Sequence, residues 1–125
     1  MNNVSISMRK RMKQFAVQIF ELIDKFPANR KGGIVQSQLA RSASSAAANY
    51  RAAQRCRSRA EFISKLNTVF EEIDESAFWL EFSVDTKIVR PEAVADLSKE
   101  ADELAAIVCA SRATARKNGA QIPRQ

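Results

Sequence analysis

Four times along this chain, apolar and small residues recur at gaps of three and four, and no other feature restricts the fold as strongly. The first run is Met8, Met12, Phe15, Ile19, Leu22 and Phe26, widened by Ala16 and Ile23. The second is Val35, Leu39, Ser42, Ala46, Asn49 and Ala53. Phe62, Leu66, Val69, Ile73, Ala77, Leu80 and Val84 form the third, and Val94, Leu97, Ala101, Leu104, Val108 and Ser111 the fourth. This is the stripe of a helix that buries one face against other helices. A strand would alternate every second residue instead.

The punctuation between the runs agrees. Pro27 disfavours helical geometry at Phe26, so the first helix is expected to stop there. Residues 28–33, ending in Gly32-Gly33, read as a polar turn. Ser58-Arg59-Ala60-Glu61 fits a capping box, with Ser58 as N-cap and Glu61 reaching back. Pro91 suits the first position of a helix, where its missing N–H costs nothing. Gly119 is a natural stop. The expected helices span about 7–26, 34–56, 59–85 and 91–117, in one domain covering 1–119, with a frayed tail at 120–125. Three Gly and three Pro in 125 residues are too few for a turn-rich β architecture. Short connections then favour an all-α, antiparallel up-down four-helix bundle.

Two seams have unusual composition. Ser42, Ala46, Asn49 and Ala53 make the second helix's inner face small or polar, which lets a neighbouring axis approach closely. Asn49 there would need a hydrogen-bonding partner and could fix register. The third helix has more apolar surface than one seam requires, since Phe70, Phe78, Trp79 and Phe82 lie beside its stripe. A second apolar face points to self-association.

Charge is sorted along the chain. Residues 1–60 hold twelve Lys/Arg against two acids, whereas residues 61–108 hold four bases against twelve acids. Two clusters stand out: Arg9, Lys10, Arg11 and Lys13 in the first helix, and Arg51, Arg55, Arg57 and Arg59 around the second connection. These eight are the candidate nucleic-acid contacts, because clustered Arg suits phosphate geometry. Aromatics do not interleave with them, so base stacking is not expected. The alternative is a structural module in which the basic half of one subunit meets the acidic third helix of the next.

The chain contains no histidine, which removes the commonest general base and metal ligand together. Glu71, Glu72, Asp74 and Glu75 share a helix, yet di-iron bundles pair such carboxylates with Glu-x-x-His motifs. An acidic solvated face is the simpler reading. No phosphate loop, zinc pattern or nucleophile elbow occurs. The expectation is therefore a non-enzyme with no cofactor and no metal site. Cys56 and Cys109 read as ordinary thiols of a reducing compartment. With no signal-peptide core and no membrane span, a cytoplasmic location is expected.

The run from Gln38 to Ala53, followed by Ser58-Arg59-Ala60-Glu61-Phe62, resembles the four-helix-bundle proteins encoded in intervening sequences of bacterial 23S rRNA genes. Phe26-Pro27 is similar to that family's first-helix terminator. Phe78-Trp79-Leu80-Glu81, Glu100-Ala101-Asp102-Glu103-Leu104 and Ala110-Ser111 resemble a common subgroup. The similarity covers residues 12–117. It departs where many relatives carry Glu-Gly after the Asn: Arg51-Ala52-Ala53 stand here, which suggests a longer second helix. The resemblance implies a left-handed antiparallel bundle assembled as a ring-like homopentamer, and no activity. Related accessory variability proteins of diversity-generating retroelements share the fold and are associated with RNA or DNA and a reverse transcriptase. By that resemblance the expected partners are other copies of the chain, RNA or DNA, and a reverse transcriptase if one is encoded nearby.

Overall fold

The structure is a computed structural model that describes residues 3–118, with side chains from residue 7 onward. Gly119 and the tail 120–125, expected to stop the last helix and fray, lie outside the described residues. The element order is α1 (Asn3–Ile23), α2 (Arg30–Ala53), α3 (Arg59–Asp85) and α4 (Pro91–Lys117). Each helix packs on its neighbours in sequence, and α4 closes the ring against α1. Contacts between α2 and α3 show the direction of the chain. Lys31 meets Thr86, Arg41 meets Glu72, and Asn49 meets Lys65, so one helix descends as the other rises. This is the antiparallel four-helix bundle.

Four helix boundaries differ from the sequence expectation. α2 opens at Arg30, four residues before Ile34, so Gly32 and Gly33 belong to its first turn and not to a connection. The cause is Asn29, whose side chain accepts from the Gly32 N–H at 2.9 Å and caps the helix. Gly32 is needed there because a Cβ would lie 2.4 Å from the Pro27 carbonyl oxygen. α2 also ends at Ala53, earlier than residue 56. It runs without a break through Arg51-Ala52-Ala53, the stretch that replaces Glu-Gly. α1 starts at Asn3, so Arg9–Lys13 sit beyond its first turn, away from the macrodipole's positive end. It ends at Ile23, and Phe26 still tucks into the core.

Ser58 caps α3 by accepting from the Glu61 N–H at 3.1 Å. The other end of α3 closes in a Schellman arrangement: Ile88 N–H reaches the Ser83 carbonyl and Lys87 N–H the Val84 carbonyl. Lys87 takes the left-handed position at φ 61°, where glycine is usual. Ile88 is buried beneath it. Pro91 then starts α4.

The core joins Met12, Phe15 and Ile19 of α1 to Leu39, Leu66, Ile73, Leu80 and Leu104. Burying a side chain of this size contributes about 1.5–3 kcal/mol. On α2 the buried line is Ser42, Ala43, Ala46, Tyr50 and Ala53. Asn49 is only half-buried, so it is not the seam residue that its spacing suggests. Its amide donates to the Ser45 carbonyl and accepts from Lys65. The small seam instead places the Ser42 and Ser76 hydroxyl oxygens 2.7 Å apart in the interior. Ser76 also donates to the Glu72 carbonyl, so the pair is satisfied.

Candidate nucleic-acid interface

Antiparallel packing turns charge sorted in sequence into charge sorted along the bundle axis. One end gathers the starts of α1 and α3 with the finishes of α2 and α4. Residues 3–13, 45–69 and 106–118, which make up that end, contain twelve Lys/Arg and a single acid, Glu61. The remaining residues, 14–44 and 70–105, contain seven bases and thirteen acids. Linear order alone did not reveal this. Arg112, Arg116 and Lys117 were outside the candidate set, yet the fold brings them to the basic end. The available signal was topological, since in an up-down bundle the last helix must finish where the first begins. Arg51, Arg116 and Lys117 lie in last turns, where the helix dipole favours cations.

The eight candidates divide into three groups. Arg9, Lys10 and Lys13 from α1 face Arg51 from α2 across an open groove of about 510 Å³, floored by Ala47 and Ala48. Arg11 points elsewhere: its Nη2 lies 2.6 Å from Glu100 and 3.3 Å from Glu103, tying α1 to α4. The hydrogen bond to Glu100 raises the guanidinium pKa, against an opposing effect of desolvation. Arg55, Arg57 and Arg59 surround the α2–α3 connection. The first two are exposed, and Arg59 is half-buried with its Nη1 lacking an acceptor among the described residues.

Among the described residues, the ion pairs engage only Arg11 and Arg41, the latter binding Glu72 and Glu75. Arg41 lies outside the basic end. Arg112 is also committed, donating to Asn67 at 3.0 Å and stacking 5.1 Å above the Phe70 ring. Arg9, Lys10, Lys13, Arg51, Arg55 and Arg57 take part in none of these ion pairs.

Other chemistry is sparse. Among the described residues no group of three or more Cys, Asp or Glu is placed to hold a metal ion. Glu71 and Asp74 are exposed, while Glu72 and Glu75 are held by Arg41. Cys56 is a buried thiol pushed up in pKa by burial, with a further contribution from the nearby Glu61 carboxylate. Both cysteines are free. Among the described residues no helix is long and apolar enough to cross a membrane.

Residues 5–110 match the family described as 23S rRNA-intervening sequence protein. The chain belongs to that family. A similar solved structure is a protein with unknown function from the S23 ribosomal protein family of Bacteroides thetaiotaomicron, determined at 1.70 Å. It is 28% identical, covers 86% of this chain and 96% of its own, and superposes with a TM-score of 0.80. No curated protein matches the chain. This member of the 23S rRNA-intervening sequence proteins thus shares its architecture with a relative to which no reaction is assigned.

Proposed function

We propose that this family member is a non-enzymatic, self-assembling bundle whose basic end binds RNA or DNA electrostatically. One observation carries the reading: seven of the eight candidate bases, all but Arg11, stand at one end of the molecule outside every ion pair among the described residues. Single-sign charge concentrated on one end raises the local potential and attracts a polyanion. The exposed aromatics among the described residues, Phe20, Phe78 and Phe82, belong to the acidic half, so stacking on bases does not enter. Contact through phosphates alone makes binding insensitive to sequence and steep in salt.

Filter retention of labelled RNA and DNA at about 50 and 200 mM salt tests this. If six phosphates are neutralised, affinity falls about 10³-fold between those conditions. Absence of retention at low salt, or affinity indifferent to salt, overturns the reading.

A second reading has its own observation. Phe78, Trp79 and Phe82 form an aromatic cluster on α3 with ring centroids 5.0–5.6 Å apart, and Phe78 is half exposed. Val17 and Phe20 are exposed on α1, the helix diagonal to α3 across the bundle. Apolar patches on two separate faces suit a head-to-tail contact between copies, which closes into a ring; the resemblance puts five copies in it. Acids Glu71, Asp74 and Glu81 flank the α3 patch. Sedimentation at physiological salt tests assembly, which both readings contain, and a monomer there counts against it; an oligomer that retains no RNA or DNA at low salt favours the second reading.

A further inference from the structure

We infer that the groove between α1 and α2 is the seat of the nucleic-acid backbone, taking successive phosphates of one strand between Lys10 and Lys13 on one wall and Arg51 on the other, with Arg9 beside them. The inference rests on the nucleic-acid reading above and narrows it from an end of the molecule to one recess. Three observations carry it. The groove's lining holds four bases and no acid, whereas the neighbouring Arg55–Arg59 junction shares its surface with Glu61. A concave cleft of one sign focuses field lines between low-dielectric walls, so its potential exceeds that of the same charges on a convex surface. The floor is Ala47 and Ala48, whose short side chains leave room for a strand to descend between the longer basic arms.

The groove also states what it does not read. Among the described residues its lining has no aromatic side chain and no Asn, Gln, Asp or Glu with which to address a base edge. Arg11, adjacent in sequence, is drawn to the other side of α1 by Glu100. The ligand class is therefore a phosphodiester strand recognised by charge and spacing, with the bases pointing away.

The test uses the whole chain, fluorescently labelled oligouridylate and oligoadenylate of 20 nucleotides, and anisotropy titrations across salt. The variant Lys10→Ala/Lys13→Ala/Arg51→Ala removes three exposed groove bases. Lys25→Ala/Arg90→Ala/Lys99→Ala removes three exposed bases from the opposite half and matches the net charge change. The groove variant should lose more than tenfold in affinity, and its salt slope should fall by about 2, at about 0.7 per single-strand phosphate contact. The matched variant should stay within threefold of the parent, and the two oligonucleotides should bind alike. Equal losses in both variants, or a larger loss on Arg55→Ala/Arg57→Ala than on the groove variant, overturn the groove while nucleic-acid binding stands. A preference of more than tenfold between the two oligonucleotides overturns it as well. If the parent binds neither oligonucleotide at about 50 mM salt, the broader reading fails with it.

Discussion

The α2–α3 seam and the α1–α4 seam close the same bundle by different means. Between α2 and α3 the contact is steric: Ser42, Ala43, Ala46 and Ala53 are all at zero exposure, and two hydroxyls touch across the interior. Close packing of this kind leaves no volume to spare. Between α1 and α4 the packing contact is the thinnest in the bundle, and Arg11 bridges to Glu100 and Glu103 at its edge. The difference explains where accessible surface lies. α3 is enclosed by two substantial neighbours, whereas α1 has one and keeps its outer side for Lys10, Lys13, Val17 and Phe20. The helix with a single substantial neighbour keeps an outer side free to carry an interface.

The sharpest way to break that contrast is to fill the tight seam. Ala46 lies one turn beyond Ser42 on the same face of α2, at zero exposure. Ala46→Leu should destabilise the protein by about 3 kcal/mol, the upper end for overpacking a well-filled core. Urea unfolding measures it, and a cost below about 1 kcal/mol would mean that the seam can relax. A comparable constraint sits where α1 hands over to α2. Gly32→Ala forces a Cβ against the Pro27 carbonyl and should cost about 2 kcal/mol, again by overpacking. Gly33→Ala has nothing within 4 Å of the new Cβ and should stabilise by about 0.5–1 kcal/mol through lower unfolded-state entropy. Opposite signs at adjacent glycines would show that the turn, more than the α4 seam, fixes the end of α1.

The hydroxyl pair tests the tight seam more finely. Ser76→Ala leaves the buried Ser42 hydroxyl without its partner and should cost about 1–2 kcal/mol. Ser42→Ala/Ser76→Ala removes both groups and should cost less than the single change. If the double variant is the worse of the two, the hydroxyls bind each other more strongly than a neutral pair should.

These residues also show what the sequence disclosed. The four stripes were legible because burial selects side chains at helical period, and Phe15, Leu39, Ile73 and Leu104 fall inside as their spacing requires. Ser58 and Pro91 were legible because capping is local chemistry. Asn29 was not, because Gly32-Gly33 reads as a break until the cap and the Pro27 carbonyl above it are seen together. Asn49 misled because one helical position separates a seam residue from a flanking one, and the buried place went to Tyr50. At the candidate interface the bases were visible but their grouping was not. Withdrawal of Arg11 by Glu100 depends on two residues 89 apart in sequence, and the arrival of Arg116 and Lys117 at the same end depends on topology.

Arg11 supplies the smallest effect and the cleanest check on the comparison. Its side chain is 35% exposed and that of Glu100 27%, so solvent and salt screen the pair. Exposed pairs of this type contribute about 0.2–1 kcal/mol. Arg11→Gln should therefore cost about 0.5 kcal/mol near 50 mM salt. In about 1 M salt, where the screening length falls to about 3 Å, the difference should nearly vanish. Glu100→Gln should cost less, because the Arg11–Glu103 contact survives it, and the double variant should cost little more than Arg11→Gln alone. A loss above about 2 kcal/mol that persists in high salt would make the α1–α4 seam a structural clamp comparable to the α2–α3 seam. α1 would then be as firmly enclosed as α3, and its outer face would lose the slack that suits it to an interface.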